Sequence, residues 1–194
     1  MGKVSAPAGP ERFTARLRSR SPRATEALGE RLGRMLEPGD VVALVGELGA
    51  GKTRLVRGLC AGARVPPEDV ASPSFAIVST YRGRLTVHHA DLYRIADEDE
   101  LFATGFGDLA GAPSGALVVE WADRVPWALP RERLTVTLAH DARAPSVRRL
   151  SLEGVGARHA RLARALARPA PRQRRRAMAR PGSRARRSTG GARR

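Results

Sequence analysis

The residues Gly46-Glu47-Leu48-Gly49-Ala50-Gly51-Lys52-Thr53 have the types and spacing to hold a chain of phosphates. Glycines let the backbone bend so that successive N–H groups point inward at an anion, and a helix starting at the loop adds its positive N-terminal end. A lysine at the seventh position puts an ammonium on the β- and γ-phosphates, and the hydroxyl after it is offered to Mg²⁺. Such a loop has to lie between a buried strand and a helix, and both neighbours can be read here. Val41 to Val45 is an uninterrupted apolar run, and Leu55, Val56, Leu59 and Cys60 make one apolar face of a helix closed by Gly62 and Pro66-Pro67. Lysine occurs only at Lys3 and Lys52 among 35 basic residues. A chain that otherwise uses arginine keeps an ammonium where a planar guanidinium would fit poorly. The pattern predicts a nucleoside triphosphate ligand.

A phosphate loop needs a second acid. Proteins with such loops hold Mg²⁺ with the loop hydroxyl and a carboxylate at the end of a neighbouring apolar strand. Glu120, directly after Leu117-Val118-Val119, is the expected carboxylate. Asp91 also ends a β-prone run; it either serves the site, by supporting the metal or orienting water, or caps the next turn. Guanine readers of the Ras type use an Asn-Lys-x-Asp loop, and no lysine follows Lys52. Asp108-Leu109-Ala110-Gly111 matches Asp-x-x-Gly but lacks an apolar strand before it, so adenine is the expected base. His88 and His89 have no third ligand nearby. They read as one surface histidine on a hairpin and one packed near Asp91, and Cys60 reads as plain core.

The elements that must position these groups follow from periodicity. Ser21-Pro22 predicts a helix start, with Ala24, Ala27, Leu28, Leu32, Met35 and Leu36 at helical spacing, and Glu37 to Asp40 ends it. Residues 76–81 and 85–90 read as a hairpin about the Arg82-Gly83-Arg84 turn. Asp97 to Glu100 open a helix ending near Gly105, since carboxylates favour a helix N-terminus, and residues 105–115 read as glycine-rich loop. Ala122 to Leu129 is a connection. Leu134 to Leu138 and Val147 to Leu152 predict two antiparallel strands. Residues 1–20 are expected to be a flexible lead-in, 21–156 the domain, 157–168 a terminal helix and 169–194 a disordered basic tail.

Charge divides the same way. All 19 acids and 21 of the 35 basic residues fall within 1–156, whereas 157–194 carries the other 14, all arginine, and no acid. The net charge of +16 therefore belongs almost wholly to the C-terminal end. Cys60 is the single cysteine, which excludes an internal disulfide and suits a reducing compartment. The N-terminus lacks the apolar core of a signal peptide, and no apolar run approaches the roughly 20 residues that span a bilayer. A cytoplasmic protein is expected.

Four motifs in order, Gly-x-Leu-Gly-Ala-Gly-Lys-Thr, Ser72-Pro73-Ser74-Phe75, His89-Ala90-Asp91-Leu92-Tyr93-Arg94 and Glu120-Trp121, resemble the TsaE (YjeE) family over about residues 21–155. The resemblance implies an α/β fold of P-loop NTPase type, with a central mixed sheet flanked by helices. It implies ATP and Mg²⁺ as ligands and weak ATPase activity in the chain alone. It also implies two partner proteins, TsaB and TsaD, in forming N6-threonylcarbamoyladenosine at position 37 of tRNAs that read codons beginning with A. The resemblance implies further that TsaD performs that transfer and that the ATP cycle resets the complex. Carried over, Lys52 and Thr53 take the loop roles, Glu120 is a metal ligand, Asp91 is a functional carboxylate, and Trp121 lies beside the nucleotide or a partner. The Ser74 hydroxyl approaches Mg²⁺ in a switch-like segment, and Thr25 matches a threonine near the base.

Three positions depart from the family pattern: Glu47 where aspartate is common, Ser74 for threonine, and Ala90 for a usual phenylalanine. Ser74 keeps the hydroxyl, and the lost ring at position 90 bears on packing rather than chemistry. The arginine tail lies outside the resemblance. It is either an inert extension or a means of capturing tRNA electrostatically, since clustered arginines neutralise phosphates. Two other functions compete. A stand-alone P-loop kinase for a small molecule would need an arginine-bearing lid, and the acidic, glycine-rich 97–115 stretch is a poor one. A regulatory nucleotide-binding module would scarcely turn over.

Overall fold

The computed structural model describes residues 9–66, 70, 77–95, 97–111 and 114–169. The expected tail, 169–194, lies outside them apart from Pro169, as do 1–8 of the lead-in and the Ser72 to Phe75 segment with Ser74.

Among the described residues, the strands β1 (Arg12–Ser19), β2 (Val41–Val45), β3 (Val78–Tyr81), β4 (Val87–Asp91), β5 (Ala116–Glu120), β6 (Leu134–Asp141) and β7 (Ala144–Val155) form one seven-stranded sheet in the order β1-β7-β6-β2-β5-β4-β3. β2 runs parallel to both β5 and β6, and β4 parallel to β5, while β1, β7 and β3 attach antiparallel at the two sides. The sheet is mixed, as expected, with its parallel strands at the centre. Residues alternate between its faces. On one face Val42, Leu44, Val118 and Val136 pack beneath α1 (Pro22–Met35), α2 (Lys52–Gly62) and α5 (Ala157–Ala167). On the other, Val41, Ala43, Leu117 and Val119 pack against α3 (Glu98–Ala103), α4 (Phe106–Gly111) and the turns of 122–129.

The helix that presents Lys52 is set by close packing against α1. A Cβ on Gly29 or Gly33 would lie 2.2 Å from the Leu55 carbonyl oxygen or 2.0 Å from that of Leu59. Reciprocally, one on Gly58 or Gly62 would lie 2.0 Å from the Glu26 oxygen or 2.2 Å from that of Glu30. Paired glycines four residues apart on each helix thus let the two backbones touch. α1 starts where expected: Ser21 caps it by accepting from the Ala24 N–H, with Pro22 in the first turn. Cys60 is fully buried in this layer, and burial pushes its thiol pKa up to about 12.

Four expectations need correction. Arg12–Ser19, expected within a flexible lead-in, is a strand paired with β7 from Arg12↔Val155 to Ser19↔Arg148. Its Phe13, Ala15 and Leu17 pack against the core while Arg12, Thr14, Arg16 and Arg18 occupy the alternate positions, so an arginine-rich composition hides a period of two. The expected 105–115 loop contains α4, anchored by the fully buried Phe106. The 157–168 helix is an integral part of the domain: Leu162, Ala163 and Leu166 are buried, and Arg158 forms a two-pronged pair with buried Asp40 at 2.9 and 2.7 Å. Finally, neither histidine of β4 is on the surface; His88 is buried against Thr80 Oγ1 at 3.0 Å and His89 is fully buried. Among the described residues, no helix is long and apolar enough to cross a membrane.

Candidate functional site

β2 ends at Val45 and α2 begins at Lys52, so residues 46–51 bend from strand to helix at the centre of the sheet. Gly51, directly before the helix, has φ 102°, a left-handed conformation that disfavours side chains. Gly46 has no room for one, because a Cβ would lie 2.3 Å from the Leu138 carbonyl oxygen of β6. No side chain caps α2. Its first N–H groups therefore face the cavity, with the positive end of the helix behind them.

Lys52 is buried, 4% exposed. Its Nζ donates to the carbonyls of Gly46 at 2.6 Å and Glu47 at 3.0 Å, and lies 3.6 Å from the Trp121 ring centroid. Burial pushes its pKa below the ordinary lysine value, and the carboxylates of Glu120, Asp91 and Asp123 pull it back up. Trp121 adopts φ 60°, ψ 37°, a conformation that strains a bulky residue by about 1–3 kcal/mol. That bend turns the chain directly after β5 and sets the indole over the loop, where Tyr93 packs on it at 4.9 Å.

The two carboxylates expected from the sequence meet here. Parallel pairing puts Asp91 opposite Glu120 at the carboxyl ends of β4 and β5. Glu120 is 2% exposed. Its Oε2 accepts from Thr53 Oγ1 at 3.1 Å, and its Oε1 lies 3.0 Å from His89 Nε2. Asp91 Oδ1 accepts from the Tyr93 N–H at 3.1 Å. Burial raises the pKa of Asp91 most, the Tyr93 N–H opposes this, and the Glu120 charge adds to the rise. Both readings of Asp91 thus have a physical basis, for it caps a turn and also faces the cavity. Ser74, whose hydroxyl the family resemblance brings toward Mg²⁺, lies outside the described residues.

These groups surround a cavity of about 460 Å³ lined by Gly49, Gly51, Lys52, Thr53, Asp91, Glu120 and Trp121, together with Arg54, Arg57, Tyr93 and Arg94. Leu48 also lines it, at the exposed tip of the loop, whereas Ala50 is buried beneath. Glu47 takes part through its backbone carbonyl on Lys52. Thr25 is not brought to the cavity. It is buried in the first turn of α1, where its hydroxyl bonds Ser19 Oγ at 2.8 Å and the Ser21 carbonyl, joining β1 to α1.

Sequence reasoning missed two positions. His89 was legible in principle, since alternation along β4 puts 87, 89 and 91 on the face shared with Glu120. Arg148 of β7 was not: its guanidinium reaches the carbonyls of Ala50 at 3.1 Å and Gly49 at 3.3 Å, and only the folded sheet brings them together. Chemically, the assembly offers a polyanion free N–H groups and an ammonium, and offers a hard cation a hydroxyl and a carboxylate. Among the described residues, no three His, Cys, Asp or Glu side chains gather to hold a metal. A cation here would depend on oxygens from elsewhere.

Known proteins supply an independent comparison. The family model of threonylcarbamoyl adenosine biosynthesis protein TsaE matches residues 19–150. The tRNA threonylcarbamoyladenosine biosynthesis protein TsaE of Treponema pallidum is 41% identical over 120 residues, covering 62% of this chain and 87% of that one. Its namesake in Bacillus subtilis is 34% identical over 152 residues, covering 78% and 92%. The crystal structure of Bacillus subtilis YdiB superposes with a TM-score of 0.61 at 31% identity, over 81% of this chain and 96% of that one. With its glycine loop, its Asp91–Glu120 pair and this extent of similarity, the chain belongs to the TsaE family of threonylcarbamoyl adenosine biosynthesis proteins.

Proposed function

We propose that the chain binds ATP with Mg²⁺ in the Gly46–Thr53 cavity and hydrolyses it, slowly alone and faster with TsaB and TsaD. The activity serves formation of N6-threonylcarbamoyladenosine at position 37 of tRNAs reading codons that begin with A. The transfer itself belongs to TsaD, and this chain's hydrolysis returns the complex to its starting state.

The observation that carries the reading is the pairing of Thr53 with Glu120 beside Lys52. Their oxygens are 3.1 Å apart in a hydrogen bond, close enough that both could reach one small hard cation. Two protein oxygens suit Mg²⁺, which takes its remaining ligands from water and phosphates. Thr53 and Glu120 would hold it, with Ser74 a third ligand on the strength of the family motif. When bound, the ion neutralises charge developing on the phosphates.

The chain's own residues do the rest. Lys52 exchanges two carbonyls for phosphate oxygens, a gain because phosphate is the stronger partner for an ammonium. The N–H groups of the loop and of α2 cradle the anion. Asp91 accepts a hydrogen bond from the attacking water, a role supported by its partial burial and its register with Glu120 at the cavity. Trp121 covers Lys52 and excludes solvent from it.

Comparing ATP turnover by the chain alone, with candidate small-molecule acceptors, and with TsaB plus TsaD tests the proposal. Stimulation by the two proteins alone is expected. Phosphorylation of an acceptor would replace this reading with a kinase, and absence of turnover in every mixture would leave a regulatory nucleotide-binding module.

A further inference from the structure

Glu120 has a neighbour that a phosphate loop does not require. His89 and Glu120 are 1% and 2% exposed, and their Nε2 and Oε1 atoms are 3.0 Å apart. An ionised carboxylate only accepts hydrogen bonds, so the imidazole donates and carries its proton on Nε2. The other ring nitrogen, Nδ1, is buried without a partner among the described residues. A hydrogen on Nδ1 would be an unsatisfied buried donor, so the packing favours the tautomer that carries it on Nε2.

The strands explain how the two residues meet. Asp91 lies opposite Glu120 and His89 opposite Val118 in the parallel β4–β5 pair. Alternation then turns His89, Asp91 and Glu120 to one face. The Tyr81 ring closes over the imidazole with centroids 6.2 Å apart. Each carboxylate oxygen thus has its own donor. Thr53 bonds Oε2, on the side toward the cation site, and His89 bonds Oε1, on the side toward the core.

We propose that His89 is the positioning residue for the metal-binding carboxylate: its Nε2–H pins Glu120 Oε1 so that Oε2 stays aimed at Thr53 and the cation. The inference rests on the Mg²⁺-nucleotide reading above. The bond from Thr53 is shared with the cation site, whereas the bond from His89 lies behind the carboxylate and persists as the ion enters and leaves. Partners that orient a metal ligand in this way contribute about 10- to 100-fold in metal affinity.

The full chain with ADP is titrated with Mn²⁺ and free ion is read by electron paramagnetic resonance. ADP affinity without metal is measured in parallel. His89→Gln puts an amide donor near the Nε2 position, His89→Asn puts it near Nδ1, and His89→Phe removes it while filling the space. The expected result is Mn²⁺ binding within about threefold of the parent for His89→Gln, a loss of about 10- to 100-fold for the other two, and unchanged metal-free ADP affinity in all three. If His89→Phe does not fold, the Gln and Asn variants decide. Parental Mn²⁺ affinity in His89→Asn or His89→Phe overturns the inference, as does a parallel fall in metal-free ADP affinity. If the parent itself binds no Mn²⁺ with ADP, the nucleotide reading falls first and the inference with it.

Discussion

Lys52 rests on the carbonyls of its own loop and on an indole face, interactions weak enough to be exchanged for a phosphate chain. The acids beside it are poised differently. Glu120 is tied by two hydrogen bonds, whereas Asp91 has one backbone donor to set against burial and the charge of Glu120. The raised pKa of Asp91 means that its charge opposes folding, so Asp91→Asn should separate stability from function. The asparagine oxygen still accepts from the Tyr93 N–H. Thermal unfolding without nucleotide is therefore expected at or above the parental temperature, while partner-stimulated ATP turnover falls by about 10-fold or more. A variant that loses stability and activity together would make Asp91 a turn cap alone. At this scale the sequence was most legible where chemistry dictates residue type and spacing, as at Lys52, Thr53 and Glu120. It was least legible where a side chain is recruited across the fold: no spacing announces that Arg148 supports the loop.

The elements are placed by contacts that composition conceals. Helical spacing of leucines predicted α1 and α2, but their crossing depends on Gly29, Gly33, Gly58 and Gly62, whose absent side chains leave no hydrophobic signal. Gly33→Ala is accordingly expected to destabilise the protein by about 1–3 kcal/mol in chemical denaturation, although alanine is the better helix former by about 1 kcal/mol. Unchanged stability would show that the helices can part without loss. α5 is fastened by Arg158 on Asp40 and by His159, whose Nε2 accepts from the Val41 N–H at 3.2 Å. Burial lowers the pKa of His159 against the pull of Asp40, and burial lowers that of His88 as well. The unfolded chain therefore binds more protons once pH drops below about 6.5. Stability should be complete above that value and be lost as pH falls through the folded-state values. His159→Gln keeps an acceptor for Val41 while removing one titration, so its stability should fall less steeply between pH 7.5 and 5.5. Equal slopes for parent and variant would contradict this. β1 escaped the sequence for a related reason: Arg12, Arg16 and Arg18 alternate with Phe13, Ala15 and Leu17, and arginine richness resembles a tail more than a strand.

The whole molecule places the carboxyl ends of the parallel central strands of a mixed sheet beneath a helix N-terminus, the arrangement in which open α/β sheets bind ligands. Seven strands and the flanking helices serve to hold the Gly46–Thr53 loop, Asp91 and Glu120 within one cavity of about 460 Å³. The strand–loop–helix unit could be read from apolar runs and their spacing, and the α/β class with its mixed sheet from the family resemblance, whereas the parallel pairing at the centre could not. The domain limits could not, because β1 and α5 show their place only in the folded chain, β1 paired with β7 and α5 packed on the core and fastened to Asp40. Family membership gives the fold a role in threonylcarbamoyl adenosine biosynthesis, to which we propose this cavity contributes by hydrolysing ATP. The most direct test is phosphate release from ATP by the full chain mixed with TsaB and TsaD, measured against Mg²⁺ concentration for the parent, Lys52→Ala and Glu120→Ala. Lys52→Ala should lower turnover by about 100-fold or more, and Glu120→Ala should weaken the dependence on Mg²⁺. Parental hydrolysis by Lys52→Ala, with a parental Mg²⁺ profile in Glu120→Ala, would place the chemistry elsewhere.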